Sequence, residues 1–252
     1  MAEFILSAFS DEAGIDLDEQ IRACQANGIT HMELRGLPQG NVSSLTTDDA
    51  WVLKAKLDAE GMQVSAIGSP YGKMNIADDF EPHFAAFQNT VEVAKILGCH
   101  LIRMFSFYFD EGQSYEAYRD EVFSRVGRMA DYALAHNVAC CIENESIYGD
   151  TAERCLDLYQ HFEGRLAGVF DPANFIQCGV HPLEAMKCLS LYPLYARQRR
   201  QNGGWQRNPG RRRRRTGWRN PAPFSKDGWQ TFSLPGTAPE GFCRPVRIGK
   251  GR

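Results

Sequence analysis

Between residues 4 and 195 the chain repeats one pattern six times: a short apolar run, then a longer stretch whose apolar residues recur every three or four positions. Strands alternating with helices of ten or more residues build parallel βαβ units, so this repeat confines the fold to the α/β class. The apolar runs are residues 4–9 (FILSAF), 30–35 (THMELR), 63–68 (QVSAIG), 100–105 (HLIRMF), 138–143 (VACCIE) and 166–171 (LAGVFD). The intervening helices show Leu17, Ile21 and Cys24 on one face, then Phe84, Phe87, Val91 and Ala94, then Val122, Val126, Met129 and Ala133. Thr46 opens the second helix and Gly61 closes it, Asp150 and Glu153 stand at capping-box spacing before the fifth, and Pro182 is placed to open the sixth.

These runs are apolar along most of their length, as strands covered on both faces must be. Most end on, or just before, a polar residue: Glu33 and Arg35, Ser69, Ser106, Glu143, Asp171. Six units in this span is the pace of a (β/α)8 TIM barrel, which takes ~250 residues and gathers functional groups at the carboxyl ends of its strands. A doubly wound open sheet is the alternative, weakened because no Gly-rich phosphate turn follows the first strand.

The pattern stops near Tyr195, and the charge reverses there. Residues 1–195 hold 13 Lys+Arg against 29 Asp+Glu, a net of −16; residues 196–252 hold 15 against 2, a net of +13. The tail contains five consecutive arginines, Arg211 to Arg215, scattered Gly and Pro, and no apolar periodicity. It reads as an irregular, disordered segment, and units seven and eight are not recognisable in it. No apolar run approaches the ~20 residues needed to span a bilayer. The first residues lack the basic flank and long apolar core of a signal peptide. Eight cysteines form no CxxC pair and fall mostly in predicted strands and helices, as reduced thiols do, so a cytoplasmic protein is expected.

Glu143 and Asp171, ending neighbouring strands, are of the type that can share a hard divalent cation; the alternative is that each caps the helix after its strand. The ordered strings HMELRG, AIGSPYGK, IRMFSFY, CIENE and GVFDPANF over residues 4–195 resemble the xylose isomerase-like TIM-barrel family. That family includes sugar-phosphate isomerases and epimerases and is related to endonuclease IV. The resemblance implies a divalent metal (Mn, Mg, Co or Zn) held by a Glu ending strand five, an Asp ending strand six, a His ending strand seven and a Glu ending strand eight. Glu143 and Asp171 match the first two. Asn174 stands where endonuclease IV-like members place a further metal-binding His, which argues against a multi-zinc nuclease. The last two ligands have no counterpart: no His lies beyond His181, an expected loop residue, and the only tail carboxylates are Asp227 and Glu240.

The implied activity is a metal-dependent isomerase or epimerase of a small sugar or sugar phosphate, working through an enediolate with Glu143 as acid–base and metal ligand. It is impaired in this chain by the missing ligands. Glu33, Lys73, Arg103, Ser106 and Asn174 are the expected substrate-binding residues. A homo-oligomer is open, since family members are often oligomeric. The tail itself is expected to be out-of-frame translation. A one-nucleotide shift lets residues 196–208 encode HVKDAKMADGNV, 209–218 encode IPAGEGDGQV and 232–239 encode LSLEPHL, strings of the kind the family carries on its last two strands. The rival readings are a truncated barrel that only binds, with a basic arm for nucleic acid, and an endonuclease IV-like phosphodiesterase.

Overall fold

The computed structural model describes residues 5–110, 112–145, 148–162 and 165–190. Six parallel strands lie side by side in chain order: β1 (Ser7–Phe9), β2 (His31–Leu34), β5 (Gln63–Gly68), β6 (Leu101–Met104), β7 (Ala139–Glu143) and β8 (Leu166–Val169). A separate two-stranded hairpin, β3 (Gly36–Leu37) with β4 (Gly40–Asn41), follows β2. Each new strand of the main sheet is added beside the last and the order never reverses. A doubly wound sheet reverses at its switch point; this is the α/β arrangement of a partial TIM barrel.

The helices α1 (Leu17–Ala26), α2 (Thr47–Ala59), α3 (Phe80–Ile96), α4 (Tyr115–Ala135) and α5 (Ala152–His161) each begin at a side chain that accepts a backbone N–H of the first turn: Asp16, Thr46, Asp79, Ser114 and Thr151. Such a cap satisfies an otherwise orphaned donor and contributes about 1 kcal/mol. The first three helices are followed by Gly28, Gly61 and Gly98, all at φ 68°, and the fourth by Asn137 at φ 62°. This left-handed step turns the chain into the next strand. The outward strand residues Met32, Leu34, Ile67, Ile102, Met104, Cys140 and Ile142 have no exposed surface. They meet the helix faces carrying Leu57, Phe87, Val91, Val126, Met129 and Leu158, which are equally buried.

On the outer wall Asp157 of α5 accepts two 2.8 Å bonds from Arg119 of α4, with Tyr115 donating at 2.9 Å and Tyr148 at 3.3 Å. The described cysteines are free thiols, five of them buried. Among the described residues no helix is long and apolar enough to cross a membrane.

The strands are shorter than the apolar runs that announce them, except β5, which matches residue for residue. Three local features depart from the sequence reading. The cap of α5 is Thr151, one residue beyond Asp150, which instead pairs with Arg154. Asp171 lies past the end of β8 and caps a short extra helix, α6 (Pro172–Gln177); α7 (Pro182–Ser190) then starts at Pro182 as expected. The hairpin after β2 was not anticipated, because two-residue strands leave no periodicity to read. Phe4, the seventh and eighth units and the tail from residue 196 lie outside the described residues.

Candidate functional site

The pleat sends alternate side chains to opposite faces. In register, Gly68 faces Arg103 and Arg103 faces Cys141, so Arg103 and Glu143 share the inner face of the sheet. Glu33 reaches that face too, where the ladder slips by one residue between Met32 and Glu33; an irregularity of this kind re-aims a side chain beside a site. At the carboxyl rim lies a cavity of about 300 Å³, lined by Phe9, Glu12, Arg35, Asn41, the 68–70 turn, Lys73, Arg103, Phe105, Glu143, Glu145 and Asp171. A space of about 340 Å³ near the amino end, among Leu57, Met62, Val64, Gly98 and the Lys54–Asp58 pair, offers no comparable set of groups.

Glu143 ends β7 with 7 % of its surface exposed. Its Oε2 stands 3.1 Å from Arg103 Nε, an ion pair not aligned as a hydrogen bond, and its Oε1 accepts from Asn174 Nδ2 at 3.1 Å. Burial pushes its carboxyl up to about 7; Arg103 opposes this, and Asp171, Glu145 and Glu33 add to it. Glu33 Oε1 lies 3.7 Å from Arg103 Nε, and burial raises its carboxyl as well, against the pull of Arg103. Arg103 is fixed from behind: its Nη1 donates to the Ser69 carbonyl at 3.0 Å, Ser69 Oγ donates to the Arg103 carbonyl at 2.6 Å, and its guanidinium lies over the Phe105 ring.

Asp171 Oδ1 accepts from the backbone N–H groups of Ala173 and Asn174 at 2.7 and 3.1 Å, the helix cap foreseen as the alternative to metal binding. A two-way amide clamp joins the ends of β7 and β8. Asn144 Nδ2 donates to the Asp171 carbonyl at 2.7 Å, and Asp171 N–H donates to Asn144 Oδ1 at 2.5 Å. Asn174 thus serves both carboxylates, its amide on Glu143 and its backbone on Asp171.

Lys73 crosses the cavity mouth to Glu145 at 2.9 Å, above the Phe105 ring. Its loop lies along residues 105–108, with Phe105, Phe107 and Tyr108 N–H groups donating to the carbonyls of Tyr71, Gly72 and Met74. Gly72 sits at φ 85°, and a Cβ there would come within 2.1 Å of the Phe105 carbonyl oxygen, so only glycine fits. Its N–H donates to His83 Nε2 at 3.1 Å; burial, with Arg125 nearby, lowers that imidazole to about 4 and keeps it a neutral acceptor.

The structure therefore brings Glu33, Lys73, Arg103, Glu143, Asp171 and Asn174 to one rim. Ser106 differs: it has no exposed surface, lies beneath Gly149 and is not among the described residues that line the cavity. Sequence reasoning passed over Glu145, Asn144 and the aromatic walls Phe9 and Phe105. The second Glu of the ENE string was the available signal for Glu145. His181 is exposed at the start of α7, as expected of a loop residue.

Among the described residues no three His, Cys, Asp or Glu side chains converge to hold a metal. Glu143 is engaged by Arg103 and Asn174, and Asp171 by its helix.

A family model described as xylose isomerase-like TIM barrel matches residues 21–193. No curated protein matches the chain in sequence. Among solved structures, the probable 3-DHS dehydratase AsbF of Bacillus anthracis is 17% identical over 74% of this chain and 69% of that one, with a TM-score of 0.60. A xylose isomerase-like TIM barrel protein from Mycobacterium smegmatis in complex with magnesium is 16% identical over 75% and 72%, TM-score 0.58. D-psicose 3-epimerase with D-tagatose, from Clostridium cellulolyticum H10, is 15% identical over 64% and 61%, TM-score 0.50. At these identities the likeness speaks to the fold.

Proposed function

Because the chain belongs to the xylose isomerase-like TIM barrel family, we propose that it carries the body of a sugar isomerase or epimerase, with Glu143 as the carboxylate that moves a proton next to a carbonyl. The observation that carries this reading is the placing of Glu143: almost buried at a strand end, facing a cavity, with Arg103 on one oxygen and Asn174 on the other. A carboxyl held near neutrality both takes and returns a proton, as moving one between neighbouring carbons or across one carbon requires. Lys73, Arg103 and Asp171 would orient the substrate's oxygens. The kinship in fold with an epimerase that binds a ketose supports a sugar as the substrate.

The four-ligand metal shell that the resemblance implies is half supplied, by Glu143 and Asp171. Among the described residues no three His, Cys, Asp or Glu side chains converge, and on this reading the chain as written turns over poorly. The test compares three purified proteins on a panel of ketoses and aldoses: the 252-residue chain, a version whose tail is re-encoded in the neighbouring frame, and that version with Glu143→Gln. The expected result is weak activity in the first, activity at least a hundredfold higher in the second, and its loss in the third, on the scale by which one positioned acid–base group accelerates a reaction, about 10² to 10⁴. Substantial turnover by the chain as written overturns the impairment. Activity that survives Glu143→Gln removes Glu143 from the chemistry.

A further inference from the structure

The charges around the rim cavity say what kind of sugar it admits. Among the described residues its three cations are already engaged. Arg35 is bound to Asp11 at 2.7 Å and to Glu12, Lys73 to Glu145 at 2.9 Å, and Arg103 to Glu143 at 3.1 Å with Glu33 at 3.7 Å. Four carboxylates line the space (Glu12, Glu143, Glu145 and Asp171), and Asp11 and Glu33 stand directly behind Arg35 and Arg103. Among the described residues three positive charges thus face six carboxylates, and protonating Glu143 leaves five.

A phosphate group is recognised by cations whose donors are open to it, most strongly by a guanidinium presenting two parallel N–H bonds. Here Arg103 has its Nη1 committed to the Ser69 carbonyl, its Nε buried and turned to Glu143 at 3.1 Å, and its guanidinium laid over Phe105. To reach Lys73, a phosphate would have to displace Glu145 and leave that carboxylate beside a second anion. Juxtaposed like charges in a partly desolvated space are a strong means of rejecting a ligand. Hydroxyl groups meet the opposite situation, because carboxylate oxygens accept their hydrogen bonds. The cavity also sits at the small end of the range for small-molecule sites, about 300 to 1,000 Å³.

Resting on the isomerase reading above, we infer that the site takes an uncharged, unphosphorylated polyhydroxy carbonyl compound and rejects the phosphate ester of the same sugar. The selection is by repulsion: Glu145 holds Lys73 and denies it to an anion.

Ligand-observed saturation-transfer NMR on the full chain, followed by titration, tests this with D-fructose, D-fructose 6-phosphate and inorganic phosphate at matched ionic strength. The free ketose is expected to bind at least about ten-fold more tightly than the ester, and inorganic phosphate not to compete with it. Glu145→Gln, which releases Lys73 and removes one negative charge, is expected to narrow that ratio, as is added salt. An ester that binds as tightly as the free sugar, or a ratio unmoved by both Glu145→Gln and salt, overturns the inference while leaving the sugar-handling site standing. Failure of both sugars to bind overturns the inference together with the reading beneath it.

Discussion

Two arginine–carboxylate networks in this molecule use the same chemistry to opposite effect. On the outer wall, Arg119 grips Asp157 with two 2.8 Å bonds and two tyrosines add theirs; these bonds, Arg119 foremost, hold the Asp157 carboxyl below its usual range. At the rim, Arg103 faces Glu33 and Glu143 at 3.7 and 3.1 Å without alignment, and burial outweighs it, so both carboxyls are raised. The outer network is complete and fastens α4 to α5. Among the described residues the rim network pairs its charges but leaves Arg103 Nε without an aligned hydrogen bond, and perturbed groups of that kind gather where a ligand must be received.

The largest effect expected from breaking this contrast comes from Arg103→Met. It leaves the buried Glu143 carboxyl without its counter-charge, which costs about 3 to 5 kcal/mol. In chelated buffer at pH 8 urea unfolding should show that loss, and at pH 5, where the Glu143 carboxyl, raised to about 7, holds its proton, much of it should vanish. An equal loss at both pH values would assign Arg103 to packing alone.

Glu143→Gln comes next. The folded carboxyl is raised from 4.5 to about 7, so its contribution to stability is complete below pH 4.5 and is lost as pH rises through 7. A shift of this size corresponds to at most about 3 kcal/mol. Without metal, the wild-type midpoint should fall between pH 5 and pH 8, and Glu143→Gln should flatten that slope and be the more stable protein at pH 8. A wild-type profile that is level across the interval would contradict the raised carboxyl.

Asp157→Asn should cost least, about 1 kcal/mol, because both partners are partly in water. The sign is reversed: a lowered carboxyl contributes stability above its unfolded value of 3.8 and loses it as pH falls through the folded one. The penalty should therefore be constant from pH 5 to pH 8, and a penalty that varied there would place Asp157 in the wrong class.

Much of this architecture was legible because it is local. Thr46, Gly61, Gly98 and Pro182 punctuate helices through their own backbone chemistry. The stripe Val122, Val126, Met129 and Ala133 repeats at the helical period and is fully buried. Glu143 and Asp171 were read as strand-end residues of one rim, and both line the same cavity. What was not legible depends on partners distant in sequence. Nothing near Asn144 reveals that it clamps Asp171, 27 residues away, and nothing near Lys73 reveals Glu145, 72 residues away. Ser106 is the complementary case. It follows a strand end as rim residues do, yet the chain then turns at Phe107, whose φ of 70° no local pattern predicts, and the serine goes inside.

The bond between His83 and the Gly72 amide has a practical consequence for handling the protein. An imidazole lowered to about 4 lends its stability above the unfolded value of 6.5 and withdraws it as pH falls through 4. Acid elution from an affinity column, or crystals grown from acidic liquor, would therefore show the lysine-bearing loop loosened from strand ends that are themselves intact. Samples prepared that way would describe a storage artefact at the mouth of the cavity, whereas neutral preparations keep the loop seated.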